Sequence, residues 1–311
     1  MCIRDRYIGN GQASSRTRGL FMGGREPTYV DTIEFVTNAS TGDAQDFGNL
    51  TDAGHYAIVG SSSTRGIAIG RYDGSNVVNI IDYVNIAHTG NAVDFGDAVS
   101  TISDGAGSAS PTRMLAFAGN NPSKVDTIQY VTISTLGNAS DFGDLTNDDR
   151  SQLCASSNAV RACTYGGHNG SSRVDHIEFV TIMTTGDATD FGDMTTVREQ
   201  HMACSNSTRG LISGGKAPSM TNAIDFITIA TTGNAIDFGD MTYTNNRDGA
   251  SGSSKTRGIV GAGGDPNSSP YPKTGTINSV EIATTGDALD FGDLTSTRNH
   301  MAGCSNGHGG L

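Results

Sequence analysis

Thr184-Thr185-Gly186-Asp187-Ala188-Thr189-Asp190-Phe191-Gly192-Asp193-Met194-Thr195 is the stretch around which the rest of the chain is built, because nearly the same phrase returns five more times. Its Asp-Phe-Gly core stands at Asp46-Phe47-Gly48, Asp94-Phe95-Gly96, Asp141-Phe142-Gly143, Asp190-Phe191-Gly192, Asp237-Phe238-Gly239 and Asp290-Phe291-Gly292, in steps of 48, 47, 49, 47 and 53 residues. A second phrase, an arginine followed by an apolar run and glycines, keeps the same rhythm at Arg18, Arg65, Arg113, Arg161, Arg209 and Arg257. A fixed period of this length marks a repeat architecture, in which each unit buries its apolar faces against its neighbours.

Each unit reads as four short strands. In the fourth, Tyr165-Gly166-Gly167 precedes Ile177-Glu178-Phe179-Val180-Thr181-Ile182, then the Thr-Gly-Asp-Ala turn, then Asp-Phe-Gly. The strand segments carry apolar groups on both faces, as a sheet sandwiched between two others requires. Four strands in about 48 residues match a propeller blade, so the expected fold is all-β: a six-bladed β-propeller with four antiparallel strands per blade. Residues 1–6 fit no repeat position and are read as a non-native or disordered start, with 7–311 a single propeller. Segments 7–20 and 300–311 read as overlapping portions of one blade, either of which supplies its inner strand. The sixth unit departs by a long 265–275 loop and by Ser279 where the others carry Phe or Tyr.

Composition agrees. Gly is 42 of 311 residues, Trp is absent, and charged residues are 17% where about 25% is ordinary. The net charge of -12 argues against a nonspecific nucleic-acid binder, since no basic stripe exists to neutralise phosphates. No apolar run approaches the roughly 20 residues of a membrane span, so no membrane insertion is expected. Cys2, Cys154, Cys163, Cys204 and Cys304 show no CxxC spacing and read as small core filler.

The unit resembles a divergent kelch repeat: Arg198 with His201 before the inner strand, Arg209-Gly210-Leu211-Ile212 leading to Gly214-Gly215, an aromatic at Phe179, and Phe191 where kelch repeats place Trp. The double glycine is read as Gly70-Arg71 and Gly119-Asn120 in two units. The phrase at 230–240, Ala-Thr-Thr-Gly-Asn-Ala-Ile-Asp-Phe-Gly-Asp, also resembles repeats in virion-associated proteins of marine tailed phages. That resemblance implies a soluble tail-fibre or capsid-decoration protein, assembled in the host cytoplasm. Its partners would be other virion proteins or a host-surface glycan or protein.

The repeated residues are weighed as structure first. Asp187, Asp190 and Asp193, echoed at Asp287, Asp290 and Asp293, offer oxygen ligands at a spacing that invites Ca²⁺, but a strand sends alternate side chains apart, and an Asp closing its turn on backbone N–H groups is the preferred reading. No cofactor is otherwise expected. Arg65, Arg113, Arg161, Arg209 and Arg257 are expected to pair with the aspartates Asp46, Asp94, Asp141, Asp190, Asp237 and Asp290 of their own or adjacent blades. Phe47, Phe95, Phe142, Phe191, Phe238 and Phe291 are expected core wedges.

Six copies of a residue argue poorly for one catalytic site, and no catalytic residue is assigned. Recognition is expected instead where the repeats stop agreeing, on the loops after the second and fourth strands: Tyr29, Arg71, Tyr72, Asp73, His168, Tyr271 and Lys273. The expected function is a non-enzymatic virion structural or receptor-recognition module. A glycan-processing hydrolase and a cellular interaction adaptor are the alternatives.

Overall fold

The computed structural model describes residues 17–147, 149–244, 248–264, 273–308 and 311. Six four-stranded antiparallel sheets follow one another around a ring. Blade 4 is typical: Cys154–Ser157 innermost, then Arg161–His168, Arg173–Thr181 and the outer Thr189–Asp193. Blades 2, 3, 5 and 6 occupy 58–97, 106–144, 202–240 and 250–293 in the same order. Blade 1 is composite. Its inner strand Ala302–Ser305 comes from the C-terminal end and pairs with Arg18–Met22, which continues to Thr32–Thr37 and Gln45–Asn49. Of the two overlapping segments, the C-terminal one therefore supplies the inner strand, while 7–16 lie outside the described residues. A two-residue hairpin, Arg25–Glu26 with Thr28–Tyr29, is the one addition in the connection that follows.

The core is six clusters, one at each blade interface. Between blades 4 and 5, for example, Tyr165, Ile177, Phe191, Ile212 and Ile229 pack together. Each Asp-Phe-Gly phenylalanine is buried, and in blades 1–5 it meets the aromatic of the third strand edge-on, as Phe191 meets Phe179 at 5.9 Å. Blade 6 has Ser279 at that place and lacks the pair.

The acidic phrase is an interblade clasp. Gly186 N–H donates to Phe142 O and Ala188 N–H to Asp144 O of the preceding blade, while Asp144 N–H donates back to Asp187 Oδ1 at 3.1 Å. The same three bonds recur at all six interfaces, with Asn91, Asn138 and Asn234 accepting in place of Asp. The expected turn-closing aspartate thus bonds the neighbouring blade's backbone instead of its own turn. The glycine of Asp-Phe-Gly is obligatory here: Gly192 sits at φ +144°, and a Cβ on it would lie 2.6 Å from the backbone of Gly233.

The repeated arginines do not pair with aspartates, which corrects the expectation. Each donates to a carbonyl one or two residues past the third strand of the next blade: Arg18 to Ile86, Arg65 to Ile133, Arg113 to Ile182, Arg161 to Ala230, Arg209 to Ala283 and Arg257 to Asn38. Each of the first five also lies over the third-strand aromatic of its own blade, Arg113 at 4.2 Å from the Tyr130 ring centre. The ion pairs belong to other residues. Glu34, Asp82, Glu178 and Asp225, deep in the third strands, bind Arg298, Arg71, Arg150 and Arg198. Blades 3 and 6 carry neutral Gln129 and Asn278 instead, and Ile102 stands where blades 1, 4 and 5 have their arginine. In blade 2 that position is Gly54, whose missing Cβ makes room for the stem of Arg71.

The double-glycine bulge also shifts register from the sequence reading. In blade 3 the left-handed pair is Ala118-Gly119, not Gly119-Asn120, and in blade 6 it is Ala262-Gly263. Cys154, Cys163, Cys204 and Cys304 are free and buried, and burial pushes the thiols of the last three up to about 12, which suits their expected role as filler. Among the described residues no helix is long and apolar enough to cross a membrane.

Candidate functional site

The inner strands surround a channel, and its two ends differ. At the end where the first and third strands finish, a ring of hydroxyls surrounds it. Ser157 Oγ donates to Ala109 O, Ser205 to Ser157 O, Ser253 to Ser205 O, Ser305 to Ser253 O and Ser61 to Ser305 O. Blade 3 has Ala109 and cannot continue the circle. There the Ser61 carbonyl meets His308 Nε2 at 2.6 Å, so the C-terminal segment fills the one gap in the ring.

The other end is a funnel of about 130 Å³. Its rim is one residue per blade, just before each inner strand: His300, Tyr56, Asp104, Gln152, Gln200 and Asp248. All six have positive φ, between 55° and 61°. Their backbones are linked in a circle: Tyr56 N–H donates to His300 O, Asp104 to Tyr56 O, Gln152 to Asp104 O, Gln200 to Gln152 O and Asp248 to Gln200 O, and Met301 N–H completes it on Asp248 O. A left-handed residue other than glycine costs about 1–2 kcal/mol, with Asp and Asn tolerated best. Elsewhere among the described residues positive φ is met with glycine at 23 positions, and the only other exceptions are Ala118 and Ala262. At the rim it uses glycine nowhere, although glycine would relieve the strain; strain kept in this way is a mark of function.

The six side chains are of four kinds, two Asp, two Gln, one Tyr and one His. Asp104 and Asp248 come from blades 3 and 6 and so face each other across the channel. Asp104 is 9% exposed; it accepts from Asn120 Nδ2 at 3.1 Å. Burial raises its carboxyl well above the ordinary range, and the charge of Asp248 adds to the effect. Asp248 lies 3.1 Å from His300 Nδ1 and accepts from Gln200 Nε2. Tyr56 packs on His300 at 4.5 Å and on His55 at 4.3 Å. Burial, with His300 second, holds the His55 imidazole down at about 4, hence neutral at pH 7.

The sequence-predicted recognition residues divide. Tyr29 and Tyr72 stand beside the funnel without lining it, Tyr29 stacked on His55 at 4.8 Å and Tyr72 edge-on to both. Arg71 does not: it is fully buried against Asp82 and has no surface to offer. Asp73 is half-buried and closes its own turn, accepting from Asn76 and Ser75 N–H, both at 2.7 Å, and these bonds hold its carboxyl below the ordinary range. His168 Nδ1 accepts from Gly170 N–H, and its backbone bridges to Ser151, next to Gln152. Lys273 Nζ donates to Arg25 O at 2.6 Å. Tyr271 lies outside the described residues.

Sequence reasoning missed the rim itself: one position per repeat reads Tyr, Asp, Gln, Gln, Asp, His, but its left-handed backbone and its place around the channel are not visible in the sequence. It also missed a metal-capable group. Asp175, His176 and Asp193 of blade 4 bring three ligand atoms within 4.8 Å, all half-buried, and share Asp193 with the acidic phrase. No protein-family model matches the chain, and no curated protein matches it.

Proposed function

We propose that this propeller is a non-enzymatic recognition module whose binding face is the funnel end of the channel. The observation that carries the reading is the rim of six left-handed residues with side chains of four kinds, set in a ring that is otherwise near-uniform. A rigid scaffold with one variable, partly apolar concavity is what binding sites are made of. We further propose a virion setting, as a tail or capsid component meeting a host-surface glycan or protein; the resemblance of the 230–240 phrase supports it. The test is binding of the labelled protein to host envelopes. Gln152→Ala with Gln200→Ala is expected to weaken binding at least about tenfold, while Thr185→Ala on the opposite face leaves it unchanged; the reverse pattern refutes the reading.

A hydrolase is the second reading, supported by two carboxyls of unlike environment in one funnel: Asp104 buried among amides and Asp248 beside His300. Such inequality is how acid and base roles are divided between carboxyls. Release of product from aryl glycosides, lost in Asp104→Asn, would favour it over simple recognition.

A further inference from the structure

The funnel's chemistry narrows what it recognises, an inference that rests on the recognition reading above. Six described carboxylates lie deeply buried: Glu34, Asp82, Asp104, Glu178, Glu199 and Asp225. Five have an arginine, including Glu199 with Arg173 at 2.8 Å. Asp104 has none. Its hydrogen-bond partners are the amides of Asn120 and Gln152, and the charges that act on it are Asp248 across the channel, Lys124 from its own blade and Glu199 from the approach to blade 5. Lys124 is turned toward Ser151, to which its Nζ donates at 2.5 Å. A buried carboxylate with no cation bonded to it is costly to ionise, and a ligand cation that bonds it offsets that cost. Beside it, the ring of Tyr56 lines the funnel, backed by His55 and Tyr29, and an aromatic ring favours cationic groups. Among the described residues the rim carries two carboxyl side chains and no arginine or lysine, which favours a cationic ligand over an anionic one.

We propose that the funnel takes a primary alkylammonium group, its charge seated between Asp104 and Asp248 and its stem against Tyr56. The cavity's volume of about 130 Å³ suits a small group, as at the end of a lysine side chain or on an amino sugar. Seating the cation favours the ionised form of Asp104, so binding expels a proton wherever that carboxyl is protonated beforehand. Over that range affinity rises with pH, by up to about tenfold per unit for one proton.

Titration calorimetry with n-butylammonium against n-butanol tests the charge, and repeating it between pH 4 and 8 tests the proton. The cation is expected to bind at least about tenfold tighter than the alcohol, about 1.4 kcal/mol. Asp104→Asn is expected to abolish the pH slope, and Asp248→Asn to weaken binding at least about tenfold at every pH. Nα-acetyl-lysine amide and glucosamine, with glucose as control, separate the two natural sources. Equal binding of butanol and butylammonium, or an unchanged pH slope in Asp104→Asn, overturns the proposal. If neither small probe binds but host-envelope binding still depends on Gln152 and Gln200, the ammonium inference falls and the recognition reading stands.

Discussion

Arg198→Ile is the perturbation that tests the packing logic most directly, because blade 3 already carries the result in Ile102 and Gln129. Arg198 and Asp225 have side-chain exposures of 0% and 1%. Removing the guanidinium leaves Asp225 with the hydroxyl of Thr195, which donates at 2.7 Å, and deprives the carbonyls of Gly214 and Ala223 of donors at 3.4 and 3.1 Å. Breaking a buried pair from one side costs about 3–5 kcal/mol, whereas replacing both partners by neutral groups of similar shape is often close to neutral. Arg198→Ile is therefore expected to lose about 4 kcal/mol. Arg198→Ile with Asp225→Asn is expected to recover to within about 1–1.5 kcal/mol of the parent, since the new amide can accept from Thr195 as Asn278 accepts from Thr242 at 2.7 Å. Equilibrium unfolding in guanidinium chloride, with the two single variants and the double, gives the coupling energy. A loss below about 1 kcal/mol in the first variant, or a double variant no more stable than the weaker single one, refutes the argument.

Three further outcomes follow from the geometry. Gly186→Ala and Gly192→Ala both force alanine to φ near +145°, but only the second drives its Cβ into a neighbouring backbone; about 1–2 kcal/mol is expected for the first and at least about 3 for the second, read by thermal unfolding. Ser279→Phe would place under Arg257 the ring that the other five arginines have, for an expected gain of about 0.5–1 kcal/mol, and a loss of stability would show that blade 6 cannot admit it. Asp104→Asn removes a carboxyl whose folded pKa lies above its unfolded value of about 3.9, a group that costs stability once pH exceeds that unfolded value. The variant should thus be the more stable at pH 7.5 and match the parent at pH 3.5; a parent as stable as the variant at pH 7.5 would remove the premise.

The architecture was legible because it is periodic. The Asp-Phe-Gly phrase fixed six units, the apolar pattern fixed four strands in each, and the phenylalanines went where wedges were expected. What stayed hidden were partners that leave no residue signature. The repeated arginines bond backbone carbonyls such as Ile133 O, and a carbonyl looks the same under every residue name, so a charge partner was sought among the aspartates. The true ion pairs lay in the third strand, where Glu34, Asp82, Glu178 and Asp225 are single polar letters between apolar ones. Arg71 was misplaced for the same reason: an arginine two residues from a turn looks exposed unless Gly54, far off in sequence, is known to make room for it. The rim escaped because left-handed Tyr, Gln and His announce themselves only in three dimensions.

The composite blade has a consequence for orientation. Gly19 pairs with Ser305, and Arg18 N–H donates to Asn306 Oδ1, so these two segments of the ring lie side by side, at the end ringed by serine hydroxyls. The funnel opens on the other side. A tether, a surface or a fused protein attached at residue 17 or beyond residue 306 would therefore hold the disc from behind, with the six rim side chains facing outward and nothing of the attachment in front of them.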